Sequence, residues 1–173
     1  MAGLDIPTGG AVEFGGKVTK KMDRDKFRLN HVSVIYQSLN LFPLLTVIEN
    51  VTFPLVYRGI SKKEAKATAK EKLANVGIDE AKYRRLPSML SGGEQQRVAI
   101  ARALAAKTEI ILADEPTGNL DTENSLNIVA LMKELAAKEN VCVIVVTHDL
   151  DVAERADIVL KISDGKIIEV AEN

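Results

Sequence analysis

A chain of 173 residues with 46% hydrophobic and 27% charged content has the make-up of a folded domain, or of a domain with a small subdomain, and not of a disordered segment. No apolar run approaches the roughly 20 residues that span a bilayer, which argues against a membrane-embedded protein. The net charge of -1 gives no overall basic field of the kind that draws nucleic acid or anionic lipid, though it leaves room for a local patch.

Residues 1–10 are polar and glycine-rich where a secretory signal needs an apolar stretch, so the cytoplasm is the expected compartment. Residues 1–37 hold two short β-like runs, 11–14 and 32–36, around a charged stretch, and look like an incomplete piece of a domain. Residues 38–90 read as a helical subdomain. Thr46 with Glu49, and Ser61 with Glu64, have the spacing of a capping box, in which the two ends of a first helical turn satisfy each other's orphan N–H groups. Residues 91–173 alternate helix-like and strand-like segments, with apolar runs at 110–113, 141–147 and 158–162. That order predicts an α/β fold with a parallel sheet. Asp164-Gly165 between two β-like runs predicts an antiparallel ribbon at the end. Cys142, the single cysteine, lies inside an apolar run and reads as a small buried hydrophobe in preference to a reactive thiol.

Two strings carry chemistry. Ile110-Ile111-Leu112-Ala113 followed by Asp114 and Glu115 puts two carboxylates at the C-terminal tip of a central strand, where open α/β sheets bind ligands. One acid there can hold Mg²⁺ and a second can orient or deprotonate an attacking water; a strand ending in solvated acids is the bland alternative. Ser91-Gly92-Gly93-Glu94 opens a helix with a third capping-box spacing, and its glycines leave backbone N–H groups open to an anion, the alternative being a flexible loop.

Taken with the run from Asp114 to Asp121, DEPTGNLD, and with Thr147-His148-Asp149, the string LSGGE resembles the ATPase subunits of ABC transporters, and the resemblance covers almost the whole chain. It implies an ABC ATPase core of the P-loop NTPase type at 1–37 and 91–173, with the helical subdomain 38–90 between. By that resemblance Gln37 matches the Q-loop glutamine, which would reach the metal or the water. Ser91, Gly92, Gly93 and Glu94 match the signature motif, and Asp121 closes a D-loop that begins at Asn119. Asp114 matches the Walker B acid that holds Mg²⁺, Glu115 the catalytic glutamate, and His148 the switch histidine. The implied ligands are ATP and Mg²⁺. The implied partners are a second ATPase subunit and a membrane-spanning permease at the inner face of the cell membrane, with no nucleic acid. Residues 36–60 are similar to the subfamily that energises macrolide, lipoprotein and peptide exporters; there Leu41, Phe42, Pro43 and Leu44 would either meet the permease or join the core.

The family pattern also calls for GxxxxGK[ST] upstream of Gln37, and these residues contain none. AVEFGGKV at 11–18 has Gly16-Lys17 but Ala11 for the first glycine and Val18 for the hydroxyl, and reads as a decoy in the turn that precedes the Q-loop. The expectation is a truncated form without the P-loop strand, loop and helix. It would be an ATPase subunit defective in nucleotide binding, or else a catalytically silent module that docks on a permease or an intact cassette. A DNA-repair or chromosome-organising ATPase is disfavoured, because a compact stretch, not a long coiled coil, separates Gln37 from Ser91.

Overall fold

The computed structural model describes residues 2, 3 and 5–172. In chain order they form β1 (Glu13–Phe14), β2 (Lys17–Val18), α1 (Arg24–His31), β3 (Val32–Ile35), α2 (Val47–Tyr57), α3 (Lys62–Asn75), α4 (Gly92–Ala105), β4 (Ile110–Asp114), α5 (Thr122–Glu139), β5 (Cys142–Val146), α6 (Leu150–Ala153), β6 (Ile158–Ser163) and β7 (Lys166–Glu172). The α/β architecture with a parallel sheet is as the sequence predicts. Strands β3, β4 and β5 pair in parallel with β4 central, Ile35 opposite Ala113 and Asp114 opposite Val146. Because parallel strands share a direction, the segments carrying Gln37, Glu115 and His148 all leave the sheet at the same end.

Gly15 and Gly16, with φ of 54° and 72°, form the hairpin turn between β1 and β2. A phosphate loop must instead run from a strand into a helix N-terminus, so the decoy reading of 11–18 stands. Helix α1 lies in the charged stretch that carried no clear helical signal. Its start is set by Asp23, whose carboxylate accepts from the N–H groups of Asp25 and Lys26 at 3.1 Å each. Asp164 and Gly165, both left-handed, turn β6 into β7.

The main core is continuous from α2 and α3 through α4 to the sheet and α5, with Val51, Leu55, Leu73, Ile100, Ile111 and Ile128 among its fully enclosed side chains. One expectation needs correction. Cys142 is exposed, because β5 pairs with β4 alone among the described residues and one side of it faces solvent. The run at 158–162 forms the antiparallel ribbon that Asp164-Gly165 predicts; β6 pairs with β7, and Ile158, Leu160, Ile162, Ile167 and Val170 are exposed.

A buried charge ties α3 to α5. The Lys72 ammonium, 3% exposed, meets Glu139 at 2.6 Å and Glu71 at 3.1 Å. Burial alone would pull its pKa down, but the bonds to Glu139 and Glu71 outweigh that and hold it above the ordinary lysine value. Removing the Glu139 carboxylate leaves the buried ammonium with the longer Glu71 contact alone, whereas replacing the lysine with an apolar residue of similar volume removes the desolvation cost along with the bond. Glu139→Ala is therefore expected to cost about 1–3 kcal/mol and Lys72→Met less than about 1 kcal/mol. Urea denaturation of the two variants checks this, and the opposite order would contradict it.

Candidate functional site

Glu115 follows the tip of β4 with a left-handed φ of 45°, a conformation that a non-glycine residue holds only when its surroundings enforce it. Here its N–H donates to the carbonyl of Val146 at 2.9 Å, and its own carbonyl accepts from Gly118 at 3.1 Å. The turn directs the carboxylate at the tip of β5. One oxygen accepts from the His148 N–H at 3.1 Å and pairs with His148 Nδ1 at 2.6 Å, while the other accepts from the Thr147 hydroxyl at 3.3 Å. The carboxylate is 19% exposed and the imidazole 85%, so the histidine is the outward, movable partner.

His148 is held above the ordinary histidine pKa, first by its bond to Glu115 and then by the charges of Glu115 and Asp149. Its contribution to stability is accordingly present below the unfolded value and fades as pH rises through the raised folded value. Glu115, Thr117, Gly118, Leu120, His148 and Asp149 line an open cleft of about 160 Å³.

Gln37 lies two residues beyond β3. Its carbonyl accepts from Asn119 Nδ2 at 3.1 Å, and its amide sits against Gly118: a Cβ there would be 3.0 Å from Gln37 Nε2 and 3.6 Å from the Glu115 Cβ. Gln37 and Glu115 thus share one side of the same turn. Asp114 is exposed at the last position of β4. Among the described residues no group of three His, Cys, Asp or Glu is placed to grip a metal by itself. Asp114 and the Gln37 amide are hard oxygen donors suited to Mg²⁺, but too few to hold it without waters or substrate oxygens.

Ser91 caps α4 as its spacing predicts, with both halves of the capping box present. The Glu94 N–H donates to Ser91 Oγ at 3.3 Å, and the Ser91 N–H donates to Glu94 Oε2 at 2.9 Å. The other Glu94 oxygen pairs with Lys82, which, ahead of the Ser91 N–H, holds the Glu94 carboxyl below its usual range. Glu94 is therefore committed to the cap, while the N–H groups of Gly92 and Gly93 meet no acceptor among the described residues. The same turn lies against the DEPTGNLD segment and the first turn of α5, since Cβ atoms on Gly92 and Gly93 would be 3.6 Å from Leu120 and 3.8 Å from Asn124. Asp121 caps α5, accepting from the Asn124 backbone at 2.9 Å and side chain at 2.7 Å, and these bonds lower its pKa.

The apolar run after Gln37 divides. Leu41 packs on the core, whereas Leu44 is 87% exposed and Phe42 meets the exposed Phe53 at a tilt, with ring centroids 4.8 Å apart and planes at 57°. The loop keeps its shape through the buried Asn50, whose Oδ1 accepts from Phe42 N–H at 2.7 Å while its amide donates to the carbonyls of Phe42, Leu45 and Thr46. Sequence reasoning passed over Asn50 and Lys82, since a buried asparagine and a lysine 12 residues from its partner leave no periodic trace. It named Thr147 beside the histidine but gave it no role, and the structure sets its hydroxyl on the Glu115 carboxylate.

The family model described as ABC transporter matches residues 1–118. The ABC transporter ATP-binding protein YclH of Bacillus subtilis is 43% identical over 171 residues, which span 99% of this chain and 75% of YclH. The lipoprotein-releasing system ATP-binding protein LolD of Chromohalobacter salexigens is 42% identical over 174 residues, 99% of this chain and 73% of LolD. Among solved structures, the dimeric structure of MJ0796, a bacterial ABC transporter cassette, superposes with a TM-score of 0.86 at 38% identity, covering 99% of this chain and 76% of that one. Motifs, fold and relatives agree, and the chain belongs to the ATP-binding subunits of ABC transporters.

Proposed function

We propose that these residues supply the water-activating half of a transport ATPase site, working as a dimer beneath a permease. The observation that carries this reading is the turn after β4, which holds the Glu115 carboxylate between Thr147 and His148 with the Gln37 amide alongside. Glu115 would take a proton from the attacking water, and His148, freed from Glu115, would donate to the terminal phosphate. Asp114 and Gln37 would hold Mg²⁺, whose charge would offset that of the phosphates. The open N–H groups of Gly92 and Gly93 would serve nucleotide held by the other subunit. Residues 1–37 and 91–173 would form the ATPase core and 38–90 the helical subdomain. Its exposed Phe42, Leu44, Phe53 and Tyr57 suit a permease helix, and that contact would hold the subunit at the inner membrane face. The absence of GxxxxGK[ST] from the sequence favours one further reading, a silent module docked on a permease or an intact cassette.

The trans role of α4 is testable because its first turn tolerates change. Gly92 has ordinary helical backbone, and a would-be Cβ meets only the Leu120 side chain at an ordinary contact distance of 3.6 Å, so Gly92→Asp should fold normally while placing an anion where a phosphate would bind. When mixed with an intact, hydrolysis-deficient family cassette and ATP, the variant is expected to associate at least about 10²-fold more weakly than the parent chain. Equal association in analytical ultracentrifugation would reject the trans role.

A further inference from the structure

Directly after Gln37 the backbone does something costly. Leu39 and Asn40 are both left-handed, with φ of 60° and 45°, and neither is glycine. Two local bonds help, from Leu39 N–H to the Tyr36 carbonyl at 2.8 Å and from Asn40 N–H to the Ser38 carbonyl at 2.7 Å. The long-range restraint comes from α4. Arg102 Nη2 donates to the Leu39 carbonyl and Nη1 to the Asn40 carbonyl, each at 2.7 Å. The planar fork of a guanidinium can hold two successive carbonyls in fixed register, which an ammonium cannot. No carboxylate pairs with Arg102 among the described residues, and burial draws its pKa down, so this half-buried cation gives up part of its hydration for two backbone oxygens.

A second grip comes from the opposite side. Asn119 Nδ2 donates to the Gln37 carbonyl at 3.1 Å, and Gly118 leaves empty the space that the Gln37 amide approaches. Three carbonyls, at 37, 39 and 40, are therefore held by two side chains from elements far apart in sequence, one on the LSGGE helix and one on the turn that carries Glu115.

We propose that Arg102 and Asn119 are positioning residues for Gln37, and that its amide stands beside Gly118 and Glu115 only while both grips on its backbone hold. The inference rests on the reading of Gln37 as a site residue, but the geometry it claims can be measured without nucleotide. In the ¹⁵N,¹³C-labelled 173-residue chain, the Gln37 side-chain NH₂ pair is identified by its loss in Gln37→Glu, and its nuclear Overhauser contact with the Gly118 Hα protons is then recorded. Asn119→Ser and Arg102→Lys are each expected to reduce that contact by at least half and to move the NH₂ pair toward the shift of a solvated glutamine amide, with the melting temperature of Asn119→Ser unchanged. Arg102→Lys keeps the charge and loses the fork, so it separates register from electrostatics. Asn119 is exposed, so its variant reports even if the arginine variant folds poorly.

Undiminished contact in both variants overturns the proposal, and loss in one alone removes the other residue from it. Unchanged ATP turnover on Gln37→Ala in an intact cassette would instead reject the role of Gln37, leaving the measured grip in place.

Discussion

Calorimetric titration of this chain with Mg·ATP is expected to show no saturable binding in the micromolar range. A triphosphate brings about four negative charges, and a phosphate loop receives them with a nest of backbone N–H groups, a lysine and a metal-binding hydroxyl together. None of the 173 residues form that motif. The nearest sequence, at Gly15-Gly16-Lys17, is a hairpin turn between two strands of two residues each, followed after the second strand by a three-residue 3₁₀ turn and not by an α-helix. The side chains near the cleft include Asp114, Glu115 and Asp149, all of which repel phosphate in the absence of a cation. Forgoing three charge-assisted hydrogen bonds at about 1.5–3 kcal/mol each amounts to roughly 10³- to 10⁶-fold in affinity. A stoichiometric, Mg²⁺-dependent signal at micromolar concentration would reject the prediction and point back to the Gly15-Gly16 turn.

Glu115→Gln is expected to have two separable effects. In this chain the amide keeps the shape of the side chain but removes the negative charge that raises His148, so the imidazole should titrate nearer the ordinary histidine value. The direction follows from the sign of the interaction: a carboxylate favours imidazolium, and a neutral amide does not. NMR titration of the His148 ring reads this directly. In a chain joined to a family phosphate-binding segment, the same substitution should preserve ATP binding while lowering single-turnover hydrolysis by roughly 10²- to 10⁴-fold, the contribution usual for a positioned general base. Turnover that survives intact would mean that Glu115 orients His148 and does nothing to water. A His148 titration that does not move would mean that the pair seen at 2.6 Å is not formed in solution.

How much was legible beforehand depended on the range of the interaction. LSGGE and DEPTGNLD could be read because their function is written locally. A cap needs a hydroxyl and a carboxylate three residues apart, a strand end needs an aliphatic run before its acids, and a two-residue hairpin needs Asp-Gly. These fixed the starts of α2, α3 and α4, the strand β4 and the β6–β7 ribbon with no knowledge of packing. The first helix escaped notice because only Phe27 is buried and its start rests on Asp23, one acid in a run of charges.

Tertiary structure decided what each motif residue is free to do. Cys142 sits in a run that reads as core, yet whether a strand is covered on both sides depends on its neighbours in the sheet, and β5 has one among the described residues. Phe42 and Leu44 were indistinguishable from core residues by composition, and the hub at Asn50 turns them outward. The family strings identified Glu115, His148 and Gln37 as residue types at plausible spacings, and by themselves determined which chemistry the protein belongs to. Only the parallel register of β3, β4 and β5 brings those residues to one edge of the sheet, because strand order and register come from packing the whole chain and not from any window of it.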